Sequence, residues 1–241
     1  KPKAFGFCGK KRLRTMAEIK IIQAPDIEHP FAVIYKPSGL ASAPLFEGDE
    51  SALSKAMEFF PEIKHVAGKK SIEYGLLHRI DTETSGLLLI ASTQESYDFL
   101  CKEQKNGRFI KYYRAQVELN KNESQSCNFE KEFTVVSAFR PFGPKGRMVK
   151  PVFENSSAAD RKKCGNKIYS TDIKIKKNIA VCRITEGYRH QVRAHLAYSG
   201  YPICGDKLYN PNAKPDEKMQ FEAFRFEFTD PKSLKNIFYE L

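Results

Sequence analysis

Leu77-His78-Arg79-Ile80-Asp81-Thr82-Glu83-Thr84-Ser85-Gly86-Leu87 packs polar, charged and small residues between two apolar segments, and continues into Leu88-Leu89-Ile90-Ala91. The unbroken apolar run from Leu87 to Ala91 reads as a buried strand. Ser92-Thr93-Gln94-Glu95 directly after it matches a capping box, so the strand is expected to feed a helix. That helix should close at Asn106-Gly107, where glycine can take the left-handed conformation of a C-terminal cap. The polar stretch is therefore a loop at the end of a core strand, where a rigid scaffold can position reactive groups. Two readings of Asp81 are open at this point. It is either a turn residue whose carboxylate takes local backbone amides, or a reactive carboxylate presented by the scaffold.

Working outward, Phe31-Ala32-Val33-Ile34-Tyr35 is a short buried strand stopped by the turn residues of Lys36-Pro37-Ser38-Gly39. Leu53, Ala56, Met57 and Phe60 have helical spacing over Ser51 to Phe60, and Pro61 ends that helix. Phe109 to Leu119 alternates, with Phe109, Lys111, Tyr113, Ala115, Val117 and Leu119 on one mostly apolar face. Phe133 to Phe142 is extended before the turn Gly143-Pro144-Lys145-Gly146. Tyr169 to Ile175 and Ile179 to Ile184 form a hairpin across Lys176-Lys177-Asn178. His190 to Ser199 has helical spacing with Gly200 placed to cap it, and Arg189 and Arg193, four apart, are expected near one face of it. Phe224, Phe226 and Phe228 alternate with Arg225 and Glu227 in a final strand. Strands dominate, many joined by hairpins, which predicts an α+β fold with a mixed, largely antiparallel sheet flanked by helices and loops.

The chain of 241 residues carries 40 Lys+Arg against 29 Asp+Glu, a formal net charge of +11, and 41% hydrophobic residues. That composition suits a compact folded body, and the positive field attracts polyanions, nucleic acid first among them. The basic stretch 1–20, densest at Lys10-Lys11-Arg12-Leu13-Arg14, is either an RNA-contacting arm or a solvated tail. The six cysteines, Cys8, Cys101, Cys127, Cys164, Cys182 and Cys204, have neither zinc-ligand nor redox spacing, which favours free thiols in a cytoplasmic protein. No stretch approaches the roughly 20 apolar residues of a membrane span. Glycine-rich nucleotide loops, His-Glu-x-x-His and Gly-x-Ser-x-Gly are all missing, so neither a cofactor nor a metal is expected. His190 and His195, five apart, have the wrong interval for joint metal binding on one helical face and are expected to be structural.

The segment around Asp81 resembles motif II of the RluA-type RNA pseudouridine synthases, His-Arg-Leu-Asp-x-x-Thr-Ser-Gly-Leu, with Ile80 the one conservative difference. Tyr35-Lys36-Pro37-Ser38-Gly39-Leu40 with Ser42 and Pro44 is similar to the family's Lys-Pro-x-Gly-Leu segment. Lys111-Tyr112-Tyr113-Arg114-Ala115 is similar to its Lys-x-Tyr-x-Ala strand. Gly187-Tyr188-Arg189-His190-Gln191-Val192-Arg193-Ala194-His195-Leu196 resembles Gly-Arg-Thr-His-Gln-Ile-Arg-Val-His-Leu. Gly200-Tyr201-Pro202-Ile203-Cys204-Gly205-Asp206 resembles the Gly-His-Pro-Ile-x-Gly-Asp that follows. The closing strand, with Ala223, Phe228 and Pro231, also matches. The likeness runs in order from about Phe31 to Pro231. One departure is Tyr188, which stands where the family has arginine, with Arg189 one place later.

This resemblance implies a catalytic domain over 21–241 that isomerises uridine to pseudouridine in ribosomal or transfer RNA. It assigns the catalytic roles to Asp81, Tyr113 and Arg193, and implies RNA contacts from Arg79, His78, Lys36, Thr84, Ser85, Arg189 and Gln191. Arg193 would hold Asp81 ionised, Tyr113 would face the base, and Arg79 would fill the stack vacated by an extruded uridine. The reaction needs no cofactor, and a monomer acting on RNA is expected. A non-catalytic RNA-binding or RNA-folding module on the same scaffold is the alternative. A glycosidase would require a second acid, for which the sequence offers only Glu83 nearby.

Overall fold

The computed structural model describes residues 18–125 and 128–241. Most of the basic stretch 1–20 lies outside these residues, as do Cys8 and Cys127, while Lys20 already belongs to a strand. The elements run β1 (Lys20–Gln23), β2 (Phe31–Lys36), α1 (Ala52–Phe59), β3 (Ser85–Ala91), α2 (Gln94–Lys105), β4 (Ile110–Gln116) and α3 (Lys121–Ser124). There follow β5 (Glu130–Phe142), β6 (Met148–Val152), α4 (Ala158–Lys162), β7 (Tyr169–Lys176), β8 (Ile179–Ile184), α5 (Gln191–Tyr198), β9 (Phe221–Thr229) and β10 (Asn236–Glu240).

The ten strands form one sheet in the order β1-β2-β3-β9-β4-β8-β7-β5-β6, with β10 also pairing β9. All pairings between these strands are antiparallel except the short one of β3 with β9, where Ser85 lies opposite Glu222 and Gly86 opposite Ala223. The expected mixed, largely antiparallel α+β architecture is what the chain adopts. β2 and β3 are apolar without interruption because both of their faces are covered. Ala32, Ile34, Leu88 and Ile90 pack with Leu53, Ala56 and Met57 of α1 in one core that extends to Val192 and Leu196 of α5. Phe31, Val33, Leu87 and Leu89 pack with Tyr97 and Leu100 of α2 in the other.

Local chemistry sets the boundaries. Ser51 caps α1 in a reciprocal pairing with Ser54, and Pro61 opens a short 3-10 turn rather than a simple stop. At α2 the cap is Thr93, one residue later than the Ser92-to-Glu95 box predicts, because the Ser92 amide still bonds Pro30 as part of the strand end. The helix ends at Lys105, and Gly107 is left-handed (φ 73°) as expected. In β4 the buried face holds Lys111, Tyr113 and Ala115 and continues to Val117 just beyond the strand, but Phe109 turns into the second core beside Phe226 and Phe228. The register of β4 with β9 slips between Tyr112 and Tyr113, leaving Phe224 as the extra residue. Phe224 consequently sits only half-buried, 6.5 Å from the Tyr112 ring, rather than sharing the depth of Phe226 and Phe228. β1, β6 and β10 are strands that the sequence pattern did not mark. Among the described residues no helix is long and apolar enough to cross a membrane.

Candidate active site

Asp81 occupies a tight turn between the buried Ile80 and β3, with the Thr84 amide donating to the Asp81 carbonyl at 3.0 Å. A second loop, following β2, grips this turn from beneath. Gly39 N–H donates to Thr82 O (2.8 Å), Ser38 Oγ to Glu83 O (2.7 Å), and Ser42 Oγ to Ile80 O (2.7 Å) while accepting from Ile80 N–H (3.1 Å). Lys36, fully buried, donates from Nζ to the carbonyls of Pro37, Leu40 and Thr82 at 2.7–3.1 Å. Burial pulls its pKa down to about 8 against the opposing charges of Asp81 and Glu83. The turn is thus held by backbone and by its neighbour loop, and the Asp81 carboxylate is not consumed as a turn cap.

That carboxylate instead meets α5. Arg193 Nη1 donates to Asp81 Oδ2 at 2.8 Å, across 112 positions of sequence. The same guanidinium forks onto Asp206 through Nε to Oδ2 (2.8 Å) and Nη2 to Oδ1 (2.7 Å). Asp206 is itself buried and accepts from the backbone amides of Leu208 and Tyr209. Burial pulls the Arg193 pKa down, but the hydrogen bonds and charge of Asp206, then Asp81, more than reverse that and hold it firmly cationic. Its flat face lies 5.3 Å from the Tyr209 ring centroid. His190 completes the group, with Nε2 3.7 Å from Asp81 Oδ2 and Nδ1 3.1 Å from the Tyr209 hydroxyl.

Tyr113 projects from the buried face of β4 and stacks on Phe221 of β9, centroids 5.2 Å apart and planes at 17°. Burial first, and the nearby Asp81 charge second, raise the pKa of its hydroxyl well above the usual phenol range. At neutral pH it is a protonated, aromatic wall.

The residues expected to touch RNA divide in two. Arg79 is more than half exposed, tethered at Nη1 to Glu73 (3.1 Å), and Arg189 is exposed. Ser85 is half-buried at the start of β3. The others turn inward. Lys36 spends its ammonium on three carbonyls, and Gln191 Nε2 donates to Ser170 O and Thr171 Oγ1. Thr84 is buried with its Oγ1 unpartnered. His78 packs its ring 5.1 Å from Phe109 and 5.9 Å from Phe226, and its Nε2 accepts the Leu89 amide, so it supports the loop from the core side. Arg189 is also not on the helix beside Arg193: it precedes α5 and donates to the carbonyls of Gly146 and Met148. Tyr188, standing where the resemblance has arginine, stacks on Phe139 at 5.0 Å with planes nearly parallel.

His195 is fully buried between Ser137 Oγ and Thr171 Oγ1, both at 2.8 Å, which fits the structural role expected of it. His190 does not fit that role, since it faces Asp81. Asp206 and Tyr209 are the other members missed. The sequence signal for Asp206 was its place in the Gly205-Asp206 segment after the α5 motif, but an aspartate after glycine looks the same whether it caps a turn or clamps an arginine.

A family profile described as RNA pseudouridylate synthase matches residues 30–198. An RNA pseudouridine synthase of Bacillus subtilis, YjbO, is 26% identical over 67% of this chain and 53% of its own length. The dual-specificity RNA pseudouridine synthase RluA of Vibrio parahaemolyticus is 28% identical over 88% of this chain and 79% of its own. The chain spans about half the length of several other curated relatives it matches. In fold it is similar to human RNA pseudouridylate synthase domain containing 1, with a TM-score of 0.65 at 20% identity, over 93% of this chain and 83% of that one. With the profile spanning well over half of the sequence and the ordered motifs meeting around Asp81, the chain belongs to the RluA-type family of RNA pseudouridylate synthases.

Proposed function

We propose that this chain isomerises uridine to pseudouridine within ribosomal or transfer RNA, with Asp81 as the reacting carboxylate. The observation that carries the reading is the asymmetry of that carboxylate. Oδ2 is held by Arg193, whereas no side-chain or backbone donor among the described residues reaches Oδ1. A carboxylate held through one oxygen has the other free to act as nucleophile or base.

The reaction breaks the N1–C1′ bond, turns the base and joins C5 to C1′, with no net redox change. Oδ1 acts on the ribose or the base, and Arg193 holds Oδ2 in place. Tyr113, stacked on Phe221, gives the detached base an aromatic face to turn against. Its hydroxyl, held protonated by burial, donates a hydrogen bond rather than abstracting a proton. Arg79, two residues before Asp81 and exposed, takes the place of the extruded uridine in the RNA stack. The net charge of +11 draws the phosphate backbone in.

The test is tritium release from RNA labelled at uridine C5, for the wild type and Asp81→Asn. Release by the wild type that the substitution abolishes supports the reading. RNA binding without release from any cellular RNA pool favours a binding module instead.

A further inference from the structure

Arg193 is not alone in facing the Asp81 carboxylate. His190 Nε2 stands 3.7 Å from the same oxygen, Oδ2, that Arg193 Nη1 reaches at 2.8 Å. At that separation His190 presents a dipole rather than a hydrogen bond, and closure by under about 1 Å would make it one. The other ring nitrogen, Nδ1, is 3.1 Å from the Tyr209 hydroxyl, and the rings meet edge to face at 89°. That hydroxyl already accepts the Val149 amide at 2.8 Å, so its own proton is directed to Nδ1. With Nδ1 accepting, the neutral imidazole carries its hydrogen on Nε2, the nitrogen aimed at Asp81.

The backbone is set for this aim. His190 is left-handed (φ 55°, ψ 18°) at the N-cap position of α5, yet its side chain makes no cap bond to the helix. A non-glycine residue in this region is strained, and the surroundings must offset that strain. The side chain is committed to Tyr209 and Asp81 instead.

We propose that His190 is a positioning residue that, together with Arg193, fixes Asp81 Oδ2 and so presents Oδ1 to the substrate. This rests on the reading of Asp81 as the reacting carboxylate. The groups facing His190 are Asp81 from the turn before β3, Arg193 from α5, the adjoining Arg189, and Asp206 and Tyr209 from the segment after α5. Burial is the largest influence and lowers the imidazole pKa below its ordinary 6.5, with Asp81 opposing and the two arginines assisting. The ring is therefore neutral at pH 7. Protonating it places a hydrogen on Nδ1, forces the Tyr209 hydroxyl to turn away, and so breaks the contact that aims Nε2–H at Asp81. Turnover falls as pH drops through this titration.

Two variants separate aim from backbone. His190→Asn keeps a residue that tolerates the left-handed conformation, but its amide ends near the position of Nδ1. His190→Gln carries an amide N–H out to the position of Nε2. On 5-tritiated RNA, His190→Asn is expected to lower kcat by about tenfold to a hundredfold, the scale of a misplaced reacting group, with KM for RNA little changed. His190→Gln recovers most of that loss, and its pH profile lacks the acid inflection of the wild type. Nitrogen-15 NMR of the histidines at pH 7.5, assigned by the signal missing in His190→Asn, is expected to find the Nε2–H tautomer. An Nδ1–H tautomer, wild-type turnover in His190→Asn, or His190→Gln no faster than His190→Asn would each overturn the proposal. If the wild type releases no tritium from any RNA, the reading of Asp81 fails instead, and the tautomer still decides whether His190 aims its N–H at that carboxylate.

Discussion

Arg193 serves three acceptor oxygens on two carboxylates from three separate nitrogens of one rigid plane, a spread that a single ammonium nitrogen does not reproduce. Arg193→Lys keeps the charge but cannot hold Asp206 and Asp81 together. It is expected to lower kcat by about a hundredfold or more and to reduce thermal stability, both measurable on one purified variant. Arg193→Ala is harsher, leaving the buried Asp206 without its partner at a cost of about 3–5 kcal/mol in urea unfolding. Unchanged turnover in Arg193→Lys would mean that charge alone suffices. The pairing of Asp81 with Arg193 was legible in the sequence because each sits in its own ordered motif. Asp206, His190 and Tyr209 were not, since their roles arise only where three distant segments meet. Lys36, His78, Thr84 and Gln191 were expected from the sequence to contact RNA, and the structure turns their side chains inward. A motif marks which residue types are required, and is silent on whether they meet solvent or brace a loop.

At the scale of elements, the site depends on how closely β3 and β9 approach. Gly86 has φ 132°, and a β-carbon there would lie 2.3 Å from the Ala223 carbonyl oxygen. That atom is backbone in a central strand and cannot move aside. Gly86→Ala is expected to destabilise the fold by at least about 3 kcal/mol, read as a drop in the urea midpoint. Because Ala223 lies two residues from Phe221, the variant should also disturb the wall behind Tyr113. A midpoint within error of wild type would refute that account. Long elements with strong patterns, such as β3, α2 and the β7–β8 hairpin, were readable because periodicity and caps agree. β1, β6 and β10 were not, being four or five residues long and drawing their order from pairing with neighbours. The misplaced Phe224 has the same origin: alternation in sequence continues through a bulge, but register does not.

For the molecule as a whole, two inward-facing imidazoles make stability sensitive to acid. Burial lowers the pKa of His195 from 6.5 to about 4, and that of His78, where the Lys111 charge assists, to about 3. In the unfolded chain both bind protons near 6.5, so between that value and their folded pKa the unfolded state holds more protons. Stability is fully present above about pH 6.5 and falls as pH drops toward 4. At pH 4.5 the loss is on the order of 2 kcal/mol for each group, and His195→Gln should flatten its share of the slope in urea titrations at a series of pH values. An unchanged slope would assign the acid loss to groups other than His195. The sheet order carries a different consequence. β9, late in the chain, is the strand that joins β1-β2-β3 to β4-β8-β7-β5-β6. During synthesis, both partial sheets emerge before the strand that unites them, each with an open edge flanking the gap. Assembly of the Asp81 turn against the Tyr113 wall must wait for that insertion, so the site is completed only when β9 closes the gap between the two halves.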